Sequence, residues 1–324
     1  MSIHIGGLNL GIPAVLAPMA DTSDLPFRLV NRSCGCPLAF TEMINARSLS
    51  YGGKKVLKLL DTCPQDSPLG VQLLGREPEY IRKAVDVLNE SGRYELLDLN
   101  AACPVRKVIR RGEGAALAKD IKLLGELVKV MVKHSQTPVS VKLRAGWDAD
   151  NRNVCDAALA VQDAGAVCVF IHGRTCSQQY HGDVDYELIG AAKRRLSIPV
   201  FVSGNVFSAE LAQDIIKKTA CDGVVVARGS FGNPWIFSQI KALFSGEVLV
   251  EHRPDRAALV AMVRRHFDML TDYDPRTGHV RFRKVFSWYI RYLPGARHFR
   301  DKIFRSRSQS EMAGLIDDFA GECA

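Results

Sequence analysis

No stretch of this 324-residue chain approaches the roughly 18 consecutive apolar residues of a membrane-spanning helix, so none is expected. Met1-Ser2-Ile3-His4-Ile5-Gly6-Gly7 lacks the basic and apolar regions of a secretory leader, and the expected location is the cytoplasm. The nine cysteines are an odd number, with no CxxC pair and no histidine partner at zinc spacing. That speaks against a disulfide framework and against any metal; most of these thiols are expected to be reduced and buried. No G-x-G-x-x-G turn opens the chain, and Gly112-Glu113-Gly114 lacks both the third glycine and a preceding strand. A doubly wound dinucleotide-binding sheet is therefore only the runner-up architecture.

Acidic residues are nearly missing from one segment. Pro275 to Arg307 carries eight arginines and two lysines against Asp301 alone, a net charge of +9 within a chain whose total is +8. A near-neutral body with one compact basic segment implies a polyanionic partner, nucleic acid first. A basic face that pairs with acids of the body, or a membrane-surface patch, would give the same count.

With 47% hydrophobic residues the chain can bury a large core and an appendage. Eight short apolar runs alternate with helical patterns: Val15 to Pro18, Leu38 to Thr41, Leu69 to Leu74, Leu96 to Asn100, Val139 to Leu143, Val167 to Ile171, Val200 to Ser203 and Gly223 to Ala227. Between them, Glu79 to Asn89, Ile121 to Lys133, Asn153 to Asp163 and Ala209 to Lys218 repeat apolar residues at helical spacing. This is the pattern of an α/β (β/α)8 TIM barrel over residues 1–240. A connecting helix and linker are expected over 241–254, with the helix beginning near Ile240, and a small C-terminal helical domain over 255–324. Its helices are expected near Asp255 to Tyr273, Arg281 to Leu293 and Gln309 to Phe319. On the second, Phe282, Val285, Phe286, Tyr289 and Leu293 form a packing face, while Arg281, Lys284, Trp288 and Arg291 align on another, suited to phosphates and a stacked base.

Barrel active sites sit at the C-terminal strand ends, where this sequence is polar. In strand order the residues are Pro18, Met19 and Ala20; Gln72; Asn100 and Cys103; Lys142 and Arg144; His172 and Arg174; Ser203, Gly204 and Asn205; then Ala227 and Arg228. Polar groups inside strands must offset desolvation, so such a ring implies a large polar ligand, with a structural salt-bridge network as the alternative. Small residues beside Asn205 and Arg228 in the last two loops suit a phosphate. Lys142 suits negative charge building on a flavin. The residues alone leave flavin and other phosphorylated ligands both open, and Cys103 by itself could be a small buried thiol.

Several spaced motifs together resemble one family. They are Ala17-Pro18-Met19-Ala20 with Asp24-Leu25-Pro26-Phe27-Arg28, Leu99-Asn100-Ala101-Ala102-Cys103-Pro104, Val141-Lys142-Leu143-Arg144-Ala145-Gly146-Trp147, His172-Gly173-Arg174-Thr175, and Gly232-Asn233-Pro234-Trp235-Ile236-Phe237. Phe282-Arg283-Lys284 and Trp288-Tyr289 extend the pattern into the helical end. The chain resembles the tRNA-dihydrouridine synthases, most closely the bacterial B type. The resemblance implies an FMN enzyme, reduced transiently by NADPH, that reduces specific uridines in tRNA to 5,6-dihydrouridine. Hydride would pass from FMN N5 to uridine C6 and a proton from Cys103 to C5. It implies that Pro18, Met19, Ala20, Gln72, Lys142 and His172 line the flavin. Ser203, Gly204, Asn205, Ala227 and Arg228 would hold its ribityl phosphate end. Asn100 and Arg144 would read the uracil edge, and Arg174, Arg281, Lys284, Trp288 and Arg291 would meet RNA. A monomer is the expected state. Ala102, Ala227 and Cys176 stand where the family generally has Gly, Gly and Arg. The alternatives are an FMN barrel dehydrogenase acting on a free pyrimidine and a catalytically inactive RNA-binding barrel.

Overall fold

A computed structural model describes residues 3–247, 254–293 and 295–321. Eight parallel strand positions form the barrel: β1 (Ala14–Leu16), β2 (Ala39–Phe40), β3 (Leu69–Leu74), β4 (Leu96–Ala101), β5 (Val139–Arg144), β6 (Cys168–His172), β7 (Val200–Ser203) and β8 (Gly223–Val226). Each pairs with its sequence neighbour and β8 returns to β1. The ring closes between β1 and β2 through the Leu16 amide, which donates to the Leu38 carbonyl at 2.9 Å. The strands are buried along nearly their whole length, as strands covered on both faces must be, with polar side chains such as Gln72, Asp98, Asn100 and Ser140 among the buried ones.

The second strand departs from the expected Leu38 to Thr41 run. After Phe40 the chain leaves the sheet for three residues and resumes pairing with β3 at Ile44–Asn45. Within the break, Thr41 stays attached by donating its amide to the Gly70 carbonyl at 2.9 Å.

Helices α1 (Leu25–Ser33), α2 (Ala46–Ser50), α3 (Pro78–Ser91), α4 (Ile121–His134), α5 (Val154–Asp163), α6 (Tyr186–Arg195), α7 (Ala209–Thr219) and α8 (Ile236–Ser245) follow the strands in turn. Side-chain caps at Asp24, Asp120, Asp185 and Ser208 accept from the third amide of α1, α4, α6 and α7, which sets where those helices begin. Helix α8 starts four residues before the expected Ile240 because Ile236, Phe237 and Ile240 make one face buried in the main barrel core. The remainder of the expected linker, 248–253, lies outside the described residues, as does Cys323.

The barrel interior is closed at its N-terminal end. A short hairpin, His4–Ile5 with Leu8–Asn9, delivers Ile3, Ile5 and Leu10 to a core containing Phe40, Phe170 and Phe201. The Phe170 ring lies 5.4 Å from Phe40 and 5.6 Å from Phe201, so access is confined to the opposite mouth.

The helical end contains α9 (Arg256–Tyr273), α10 (Gly278–Tyr289), α11 (Ala296–Arg305) and α12 (Gln309–Gly321) around Val263, Phe267, Phe282, Phe286, Ile303, Ile316 and Phe319. Helix α10 starts three residues before the expected Arg281 and stops at Tyr289, short of Leu293. Helix α11 was not anticipated: its charge hides the apolar spacing of Ala296, Phe299 and Ile303, which are its buried residues.

One buried ion pair ties α1 to the barrel mouth. Arg28, 1% exposed, donates to Asp66 at 2.9 Å, to the Ser23 carbonyl at 2.7 Å and to the Asp61 carbonyl at 2.7 Å. Ser23 in turn holds the loop after β1, its hydroxyl donating to the Ala17 carbonyl and accepting from the Met19 amide. Arg28→Met should destabilise the protein by about 3 kcal/mol, because it leaves the buried Asp66 carboxylate with only the Thr62 hydroxyl at 3.1 Å and the Arg32 guanidinium at 3.7 Å. Adding Asp66→Asn should recover part of that loss in urea unfolding; strictly additive losses would show that the two side chains are not coupled.

Candidate active site

A cavity of about 380 Å³ opens at the C-terminal ends of the strands. Its wall contains Pro18, Met19, Ala20, Gln72, Asn100, Cys103, Lys142, Arg144 and His172, together with Ser203, Gly204, Asn205, Ala227 and Arg228. The expected flavin-lining and phosphate-end residues thus share one cavity with the expected catalytic thiol.

The floor is a hydrogen-bonded chain that follows the strand register. Ser140 on β5 donates to Asp98 on β4 at 2.7 Å, and the Gln72 amide on β3 donates to the other Asp98 oxygen at 2.7 Å. Asn100 donates to the Gln72 carbonyl at 2.7 Å. Its own carbonyl accepts the amides of Ala102 and Cys103 at 3.0 and 2.9 Å. Asn100 therefore shapes the cysteine loop and has little of its amide left for a base, which changes the role expected for it. Asp98 is fully buried, and desolvation raises its pKa to about 6 despite these donors and Lys142.

Arg144 fixes the same loop from the other side. It donates to the carbonyls of Ala102 at 2.7 Å, Thr175 at 2.9 Å and Gln179 at 2.8 Å. Cys103 is half-buried at the cavity wall, and burial pushes its thiol pKa up while a Val105 backbone contact and Arg144 pull it down. A thiol in that state is a proton carrier at neutral pH rather than a nucleophile.

Four cations crowd the mouth. Lys142, deep in the hollow, is pushed down to about 8 by burial and by Arg144. His172 is pushed down to about 2 by burial and then by Lys142, Arg144, Arg174 and Arg228, so its ring is neutral at physiological pH. Two buried nitrogens here lack protein partners, His172 Nε2 and Arg174 Nη1. Arg174 uses its remaining nitrogens on the Gly182 carbonyl and on Asn205. Gly204 at φ +127° lets the backbone turn tightly here, where a Cβ would meet Val184 at 2.8 Å. An unpartnered buried guanidinium nitrogen, a tight glycine turn and a surplus of positive charge fit an anionic group such as a flavin phosphate.

Arg174, expected at the RNA, is 4% exposed and lies behind the cavity wall, donating to Asn205, which lines it. Ala102 and Ala227 need no glycine, since neither is among the residues with positive φ. Cys176 is 3% exposed, its amide on the Gly146 carbonyl, so the side chain at this position is turned inward. Sequence reasoning missed Met43, Thr22 and Phe231 as lining residues. Met43 lies in the unforeseen break in β2, and apolar loop residues such as Met43 and Phe231 carry no chemical signature.

The expected RNA stripe on α10 is the largest correction. Arg281 pairs with Asp24 at 2.5 Å, Lys284 donates to the Asp21 carbonyl at 2.6 Å, and Trp288 stacks on Phe231 at 4.0 Å. These three contact the barrel, so the Trp288 face is not open to a base; Arg291 is exposed and lies over the Tyr292 ring. The exposed cations lie instead on α11 and its flanks, at Arg297, Arg300, Arg305 and Arg307, with Tyr292 72% and Phe304 57% exposed among them.

The family model described as dihydrouridine synthase (Dus) matches residues 15–322. The chain belongs to the dihydrouridine synthase family. It is 33% identical to tRNA-dihydrouridine synthase B of Pseudomonas aeruginosa over 99% of this chain and 96% of that protein. It is 32% identical to a probable tRNA-dihydrouridine synthase 1 of Synechocystis, over 97% and 88%. Among solved structures, histamine dehydrogenase from Rhizobium sp. 4-9 superposes with a TM-score of 0.58 at 13% identity, covering 76% of this chain and 47% of that one. That likeness concerns the barrel fold alone. No helix among the described residues is long and apolar enough to cross a membrane, and no cluster of metal-ligating side chains occurs among them.

Alkylation of Cys103 by iodoacetamide should titrate with a midpoint above the ordinary thiol value of about 8.5. A midpoint below that value, followed by peptide mass mapping of the labelled residue, would contradict a thiol held protonated.

Proposed function

We propose that this dihydrouridine synthase reduces the C5=C6 bond of uridine in tRNA, using FMN as its bound cofactor and NADPH as the transient reductant. The observation that carries the reading is the convergence of Cys103, Lys142, Arg228 and the orphaned His172 Nε2 on one cationic cavity, with the orphaned Arg174 nitrogen behind its Asn205 wall, in a chain of this family. FMN, when bound, supplies the hydride to uridine C6.

The chain's own residues do the rest. Arg174, Arg228 and the turn at Gly204 and Asn205 would hold the phosphate, while Gln72, Lys142 and His172 would face the ring system. The Lys142 ammonium offsets negative charge on that ring system. Arg144 and Asn100 fix the loop so that the Cys103 thiol presents its proton toward C5. Burial keeps that proton in place at neutral pH and excludes competing water.

A flipped uridine in RNA suits this mouth better than a free pyrimidine, because the basic helical end adds a polyanion surface that a small substrate does not need. Arg291 and the α11 cations Arg297 and Arg300 are the residues assigned to it, in place of Arg281 and Lys284.

Replacing Arg291, Arg297 and Arg300 by Ala should weaken tRNA binding and reduce the slope of log Kd against log salt by up to about 3. An unchanged slope would remove these residues from the RNA surface. Mapping dihydrouridine in tRNA from cells lacking this protein should reveal lost positions that the intact gene restores. Unchanged tRNA, with no other enzyme of this activity in the cell, would overturn the proposed reaction.

A further inference from the structure

The walls of the cofactor cavity are not all anchored by the barrel. Phe231, in the loop after β8, lines the cavity on one side and stacks on Trp288 of α10 on the other, ring centroids 4.0 Å apart and planes 12° apart. Phe27 of α1 closes this cluster, 6.2 Å from each ring and edge-on to both. The approach is close throughout: at Gly232, with φ +68°, a Cβ would lie 2.4 Å from the Trp288 backbone. A side chain at 232 would force loop and helix apart.

The opposite lip is held by the same helix. Ala20 and Thr22 line the cofactor cavity, and between and beyond them Asp21 and Asp24 are tied to Lys284 and Arg281. Thr22 also borders a second cavity of about 390 Å³ between barrel and helical end, whose wall includes Arg281, Lys284 and Trp288. Two loops from distant points in the sequence, both part of the pocket, are thus fixed by three side chains of α10, none of which lines that pocket. On the barrel side, the Asp21 amide is held by Glu42, which sits in the break of β2. Without α10 the Phe231 ring would lose its stacking partner and the Asp21 carbonyl its donor.

We propose that α10 is a positioning strut for the cofactor cavity: Trp288 on Phe231 and Lys284 on Asp21 hold two cavity loops in register, so cofactor affinity depends on residues that never touch the cofactor. The inference rests on the reading of the cavity as an FMN site. An aromatic pair of this kind contributes enough that its loss corresponds to about a threefold to tenfold change in affinity.

The test titrates apoprotein with FMN and follows quenching of flavin fluorescence, with circular dichroism and thermal unfolding of the same samples. Trp288→Ala should raise the FMN Kd by about tenfold, Trp288→Phe should restore most of the affinity, and Lys284→Ala should raise it by about threefold. A folded Trp288→Ala protein that binds FMN with the wild-type Kd would overturn the strut. If Trp288→Ala does not fold, Lys284→Ala, whose side chain is exposed, decides the matter: weakening supports the strut and an unchanged Kd overturns it. Failure of the wild-type apoprotein to bind FMN would instead overturn the cofactor reading itself.

Discussion

The mouth of this barrel depends on how one buried carboxyl group is satisfied. Asp98 lies inside the barrel wall with no exposed surface, and an unpaired acid there would be costly. Ser140 and Gln72 supply its two donors because the parallel register places both residues directly opposite it on the neighbouring strands. Gln72 is thereby oriented so that its carbonyl can accept from Asn100, and Asn100 in turn has its carbonyl aimed at the backbone of the cysteine loop. Each link fixes the rotamer of the next. The position of the Cys103 thiol is therefore set by hydrogen bonds that span three adjacent strands rather than by the loop's own sequence.

Charge is distributed on the same logic. Lys142, Arg144, Arg174 and Arg228 raise the potential of a cavity that Asp98 compensates only from below, and His172 stays neutral through burial first and these cations second. A protein tolerates such an excess where a ligand brings the opposite sign, and the partnerless nitrogens of Arg174 and His172 mark where that charge belongs. Arg144 differs from the others, since its Nε and Nη1 donate to three backbone carbonyls and brace two loops, while the residue still lines the cavity.

Much of this was legible in the sequence, for identifiable reasons. Barrel strands are short apolar runs in a fixed alternation with helices, so their ends, and the polar residues there, can be located by counting. The break in β2 was not legible, because Glu42 and Met43 leave the sheet through tertiary contacts that no periodicity records. Periodicity also found the stripe of Arg281, Lys284, Trp288 and Arg291, but not what it faces. A cationic and aromatic helix face reads the same whether it meets phosphates or the acids and rings of its own barrel. Asp24 and Phe231, which decide between the two, are remote in sequence from α10. Helix α11 was obscured in the opposite way, by charges that are in fact the exposed ones.

The central claim is that Cys103 delivers a proton to a uridine held over a flavin. It is tested most directly by purifying Cys103→Ala with FMN bound, supplying NADPH, and measuring dihydrouridine formed on unmodified tRNA. The account predicts a wild-type flavin spectrum and normal oxidation of NADPH by the bound flavin, with dihydrouridine formation reduced by about 10²-fold or more. Dihydrouridine formed by that variant at the wild-type rate would contradict it.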